Sequence, residues 1–397
     1  MNVLKQLAEK VTNHLNTGLY LAIPMLLAAC GGGEGSEHRA PGPAVLLPTT
    51  PPASSVPATN SAAAARQISP ALSLLAGNMG GAGNSDGAGA TATFNGPTGI
   101  ATDSAGTIFV VDHLNQTIRK ITPAGVVTTL AGIAGISGST DAVGGAASFN
   151  FNAHSSIAAD RAGNVYVTDT NNNTIRKITS AGTVTTLAGT AGISGQIDSI
   201  GTAANFNAPT GIATDNAGNV YVADSSNTIR KITPTGVVTT LAGTAGISGS
   251  KGGTGAAASF NSPSGIAADS AGNIYVADSM NSTVRRITPA GVVTTVAGTA
   301  GISGSTDASG AAASFNRPDS VASDYAGNVY VADTNNNTVR KITASGEVTT
   351  VAGKPGASSF TSGALPGTLP SPLGVSISGN SLYITSGNAV AVVHNLP

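Results

Sequence analysis

Five copies of one phrase, four short β-runs in each copy, and chain ends that complement one another predict an all-β fold: a six-bladed β-propeller with four antiparallel strands per blade. The phrase reads Gly-Ile-Ala-Thr-Asp-x-Ala-Gly-Asn-Val-Tyr-Val-Ala-Asp, then Thr-Ile-Arg-Lys-Ile-Thr-Pro-x-Gly-Val-Val-Thr-Thr-Leu-Ala-Gly. The Asp closing its first run stands at Asp103, Asp160, Asp215, Asp269 and Asp324, spaced by 57, 55, 54 and 55 residues. A period of that length, filled with β-runs and Gly turns, marks a repeat architecture. An open β-solenoid is the competing reading, but its repeats are shorter and lack paired hairpin turns.

The second copy shows the elements in order. Ser156–Asp160 is a short first strand and Arg161-Ala162-Gly163 a tight turn. Asn164–Asp169 is the second strand and Thr174–Thr179 the third. Ser180-Ala181-Gly182 turns again, and Thr183–Gly189 is the fourth strand. β-Branched and aromatic residues favour strands, and Gly supplies the turn conformations. A long Gly/Ala/Ser loop, Thr190 to Asn207, leads to the next copy.

A divergent sixth copy follows Gly353: Leu373–Ile377, Leu382–Thr385 and Val390–Val393. It has no fourth strand before Pro397, and Leu72–Gly77 reads as the missing one. Gly77 lies 17 residues before Phe94, the interval that also separates Gly189 from Phe206, Gly243 from Phe260 and Gly298 from Phe315. The N-terminal strand is therefore expected to complete the C-terminal blade and close the ring, which removes open sheet edges.

The segment before the ring differs in character. Residues 1–29 combine a polar start carrying Lys5 and Lys10 with a twelve-residue apolar run, Gly18 to Ala29, too short to span a bilayer comfortably. This pattern reads as a secretory signal. Leu27-Ala28-Ala29-Cys30 resembles the lipobox of bacterial lipoproteins, with the chain's one cysteine at the junction. That resemblance implies cleavage before Cys30 and its acylation, with Gly31 favouring the outer membrane; the long start containing Glu9 departs from the pattern. Several acyl chains anchor a soluble domain stably. Residues 30–70, with Pro41, Pro43, Pro48, Pro51, Pro52 and Pro57, read as an extended linker before a propeller at 71–397.

Composition narrows the function. A formal net charge of −1 gives no basic surface for nucleic acid, and the absence of Trp removes one common stacking platform. A single cysteine forms no internal disulfide. The charges are regular. Asp112, Asp169, Asp224, Asp278 and Asp333 end the second strands, and Arg119, Arg176, Arg230, Arg285 and Arg340 occupy the third. The sixth copy lacks both partners together, having Ser386 and Ala391-Val392 there. Joint loss predicts that the two pair inside the fold, where Arg suits a partly buried carboxylate.

The run Pro263–Asp278 followed by Asn281–Ile287 resembles an NHL repeat, and copies cover about four-fifths of the chain. The resemblance implies a six-bladed propeller that mostly serves as a binding platform, while a minority of related propellers are lyases or lactone and ester hydrolases. Fold therefore leaves function open.

In such a ring one face carries minimal turns and the other the long polar loops. The long-loop face is the expected binding face, through Asn171, Asn172, Asn173, Asn335, Asn336 and Asn337, with Asp319 at the channel mouth. Its ligand is expected to be a protein or glycan, and the propeller a monomer. Asp86, Asp141, Asp198 and Asp307 recur nine residues after a fourth-strand Gly. They are candidate Ca²⁺ ligands, or Asx turns that organise the loops. His113 and His154 are the remaining metal-like candidates. A metal-dependent hydrolase or lyase would need several such groups converging on the axis. No acid/base pair or partnered nucleophile is visible, so no catalytic residue is assigned.

Overall fold

The computed structural model describes residues 69–396; the segment read as a signal, Cys30 and nearly all of the segment read as a linker lie outside them. Six antiparallel sheets of four main strands surround one axis. Blade 1 comprises Pro97–Thr102, Ile108–Asp112, Thr117–Ile121 and Val126–Ala131, innermost strand first. The innermost strands of blades 2 to 5 are Ile157–Ala159, Pro209–Thr214, Pro263–Ala268 and Pro318–Ser323. Blade 6 takes Pro372–Ser378, Ser381–Ser386 and Ala389–His394 from the C-terminal end, and Ala71–Gly77 from the N-terminal end. Ala71 pairs with His394 and Gly77 with Ala389, so the chain enters the ring on the short-turn face. Each innermost strand packs on the next, and Pro372–Ser378 packs on Pro97–Thr102.

The innermost strands approach so closely that side chains are excluded. A Cβ on Gly99 would lie 2.6 Å from Ser156 Cα, and Gly211, Gly265 and Gly374 face similar backbone. Glycine is used here for close backbone approach.

Each of blades 1 to 5 buries an arginine in its interior. Arg119, Arg176, Arg230, Arg285 and Arg340 are fully buried. Their guanidinium carbons sit 5.0–5.4 Å from the ring centroids of Phe94, Phe149, Phe206, Phe260 and Phe315. The expected carboxylates meet them: Asp112 at 2.9 Å, Asp169 at 2.7 Å, Asp278 at 2.8 Å and Asp333 at 3.0 Å. Asp224 stands off at 4.0 Å from Arg230. Burial raises the pKa of all five carboxyls, and hydrogen bonds together with the charge of the neighbouring Arg pull it back.

Candidate functional site

Two departures from the repeat pattern at the long-loop end of the axis bring charged or ionisable side chains there. In blades 1, 3, 4 and 5 the innermost strand places Ile100, Ile212, Ile266 or Val321 six residues after the buried Phe. Blade 2 takes eight residues, from Phe149 to Ile157. The extra length carries Phe151, Asn152, Ala153 and His154. Phe151 stacks on Phe149 with centroids 4.8 Å apart, which anchors the insertion. The Asn152 side chain accepts the His154 amide at 2.8 Å, and the Ser155 hydroxyl accepts the Asn152 amide at 3.0 Å.

The second departure is in blade 5. The residue before the strand's Pro is Gly96, Ala208, Ser262 or Ser371 elsewhere, and Arg317 here. All five positions are left-handed, with φ 52° at Arg317, a region that ordinary side chains occupy uncommonly. Two residues on, Thr98, Thr210 and Ser264 donate their hydroxyls to the next blade's carbonyls, whereas blade 5 places Asp319. Asp319 Oδ1 accepts the Ser279 hydroxyl at 3.2 Å and lies 3.7 Å from Arg317 Nε.

Blades 2 and 5 are opposite one another in a six-membered ring, yet their irregular residues meet. His154 and Asp319 line one small cavity over the axis with Ser155, Ser156, Ser264 and Ser320. Both also line a cleft of about 200 Å³ with Arg317, Ser279, Met280 and Pro263.

Other candidates have different roles. Asn172 and Asn336 are buried, and donate to Asp169 Oδ2 at 2.8 Å and Asp333 Oδ2 at 2.7 Å. Asn173 and Asn337 are left-handed, and their side chains accept the amides of Ala208 and Ser371 in the next blade, each at 2.8 Å. These four residues build the loop face through bonds within the fold. Asn171 and Asn335 remain exposed, bonded to Asn152 and Asn316 respectively.

The acids considered for Ca²⁺ are instead the second partners of the buried arginines. Asp86, Asp141 and Asp198 meet Arg119, Arg176 and Arg230 at 2.8, 2.6 and 2.5 Å, and Asp307 meets Arg340. Each also accepts from the backbone amide and hydroxyl of a fourth-strand Thr, as Asp141 does from Thr186. These carboxylates are held by a guanidinium and a Thr rather than in a local Asx turn. His113 turns its ring onto the Gly96 carbonyl in blade 1 and lines neither the small cavity nor the cleft that His154 shares. Among the described residues no three His, Cys, Asp or Glu side chains gather as a metal site. Arg317 and Ser279 escaped the sequence reading, although Arg317 was visible as the one bulky residue in a run of Gly, Ala and Ser.

Comparisons with known proteins agree on the architecture. The NHL repeat profile matches residues 206–228, 260–287 and 315–342, so the chain carries NHL repeats within a six-bladed propeller. No curated protein matches. A structural genomics protein of unknown function from Bacteroides thetaiotaomicron is 21% identical with a TM-score of 0.64, over 82% of this chain and 76% of that one. An auxiliary nutrient binding protein from the same species is 16% identical with a TM-score of 0.60, over 81% and 76%. A gluconolactonase from Xanthomonas campestris is 15% identical with a TM-score of 0.52, over 85% and 94%. At these identities the likeness is one of fold.

Proposed function

We propose that the propeller is a binding module whose long-loop face holds its ligand in the cleft over the channel mouth. One observation carries this reading: the irregular residues of opposite blades, His154 on one side and Arg317 and Asp319 on the other, line the same cleft. Ligands occupy concave sites with a few convergent polar groups, and these residues converge from opposite blades. A propeller named for nutrient binding among the similar folds accords with this.

The lipobox-like segment supports a further part of the proposal, that acylated Cys30 tethers the module to the bacterial envelope, at the outer membrane. The described chain joins the ring at Ala71, on the short-turn face. Among the described residues no helix is long and apolar enough to cross a membrane.

The test is retention. The full chain is incubated with cell extract, and the low-molecular-mass solutes it keeps are identified by mass spectrometry. Solutes kept by the native chain and lost by the Asp319→Asn, His154→Ala variant are the expected result; identical profiles for the two chains would end the proposal.

The shared cavity of His154 and Asp319 also favours a second reading, a propeller hydrolase or lyase acting at the channel. In its metal-dependent form it predicts a stoichiometric metal and a melting temperature that falls with chelator. Metal analysis with paired melting curves separates the two readings.

A further inference from the structure

We infer that the cleft holds a small zwitterion, an α-amino acid, with its ammonium group on Asp319 and its carboxylate on Arg317. This rests on the reading of the same cleft as the binding site and adds the chemical class of the ligand.

The cleft offers one fixed charge of each sign, close together. Arg317 Nε and Asp319 Oδ1 are 3.7 Å apart, with the side chains 48% and 12% exposed. That spacing is an ion pair with capacity left on both members. Ser279 occupies one side of Asp319 Oδ1, while Oδ2 and the terminal nitrogens of Arg317 make no hydrogen bond among the described residues. Charge-assisted hydrogen bonds are the strong ones, and a guanidinium takes a carboxylate on two parallel N–H bonds.

Each simpler ligand class leaves a mismatch. An anion without an amine meets Asp319, and a cation without a carboxylate meets Arg317. A neutral polyol covers both charges without matching either, which costs their hydration. The cleft also has no Phe, Tyr or Trp ring to carry the apolar face of a sugar. A zwitterion sets an opposite charge against each group. In an α-amino acid the two charges are adjacent, as they are in the cleft.

Size and lining agree. Clefts of about 300–1,000 Å³ hold drug-sized ligands. This one, at about 200 Å³, suits a smaller molecule than a glycan chain or a protein surface. Its apolar wall is Pro263 and Met280, the latter 60% exposed. Methionine adapts to irregular apolar partners. Leucine and methionine are therefore the favoured ligands, with His154 closing the cleft from the opposite blade.

Isothermal titration of the full chain with leucine, N-acetyl-leucine, leucinamide and leucyl-glycine tests this. Leucine is expected to bind, and each blocked analogue to bind about 10- to 100-fold more weakly, the loss of one charge-assisted contact. Arg317→Ala and Asp319→Asn are expected to weaken leucine by similar factors. Equal binding of N-acetyl-leucine and leucine would overturn the inference, because Asp319 would then read no ammonium. Equal binding of leucyl-glycine would overturn it too, because the charges need not then be adjacent. No binding of any amino acid would also overturn it, while the wider proposal would stand if the retention experiment still showed solutes lost with Asp319 and His154.

Discussion

The Gln116 carboxamide holds the Phe151 peptide from both ends. Its Oε1 accepts the Phe151 amide at 2.6 Å, and its Nε2 donates to the Phe151 carbonyl at 3.2 Å. Elsewhere an Asn makes the equivalent inter-blade clasp: Asn388 to Gly96, Asn173 to Ala208, Asn227 to Ser262 and Asn337 to Ser371. The side chain is one methylene longer where the next blade carries the insertion. The blade before Arg317 has Ser282 at the same left-handed position and makes no such side-chain clasp. Both exceptions therefore stand immediately before the two irregular loops that line the cleft.

Gln116→Asn is expected to leave the Phe151 amide unpaired, because the shorter side chain cannot reach it. A buried backbone group without a partner costs about 1–3 kcal/mol. Denaturant unfolding measures that loss. The His154 loop should also exchange amide hydrogens faster, while the clasps that use Asn173 and Asn337 stay protected.

Gly99→Ala should destabilise the ring although it removes no contact. The new Cβ would lie 2.6 Å from Ser156 Cα, and neither backbone can yield without moving an innermost strand. Overpacking of this kind costs about 1–3 kcal/mol or more. Ala at Gly135, which meets no atom within 4 Å but has φ 76°, controls for the backbone preference alone. Thermal unfolding of the two variants should separate steric from conformational cost.

Asp169→Ala should be more damaging than Asp141→Ala, although both acids bond Arg176. The Asp169 side chain is fully buried, and its removal leaves the buried guanidinium short of charge, at about 3–5 kcal/mol. Asp141 is 45% exposed, so water replaces much of what it supplies. Equal losses in urea unfolding would mean that the two carboxylates share the charge evenly.

Alkaline pH should loosen blades 2 to 5. Tyr166, Tyr221, Tyr275 and Tyr330 donate their hydroxyls to Asp160, Asp215, Asp269 and Asp324 at 2.9–3.3 Å. Burial, with help from the carboxylate, pushes Tyr166 and Tyr330 up to about 12 and raises Tyr221 and Tyr275 as well. A raised folded-state pKa means that the folded chain holds the phenol proton more tightly than the unfolded chain. The stabilisation is therefore complete below the unfolded value of about 10 and is lost as pH rises through about 12. Phenolate absorbance should lag free tyrosine over that range, and Tyr166→Phe should flatten the fall in melting temperature.

Much of the fold was legible because the repeat states it five times. Strand order, turn positions and the pairing of second-strand Asp with third-strand Arg follow from local spacing. Blade 3 shows the limit: Ser225-Ser226-Asn227 is one residue shorter than Thr170–Asn173, and lacks the Asn that elsewhere bonds the buried Asp. Gln196, from the preceding inter-blade loop, donates to Asp224 Oδ1 at 2.7 Å in its place. No local pattern announces that substitution.

The sequence by itself determined the strands and the charge pairing within each blade, because each depends on residues near one another in the chain, and it determined the number of blades through the repeat spacing and the complementary chain ends. Only the tertiary structure decided which partner each acid meets. Asp86 and Asp319 are both loop-face acids by sequence, but Asp86 meets a buried arginine of its own blade and Asp319 meets the half-exposed Arg317 and the Ser279 hydroxyl. It also decided that His154 and Arg317, 163 positions apart in the chain, line one cleft. Ring closure brings opposite blades together over the axis, and no one-dimensional spacing encodes that meeting.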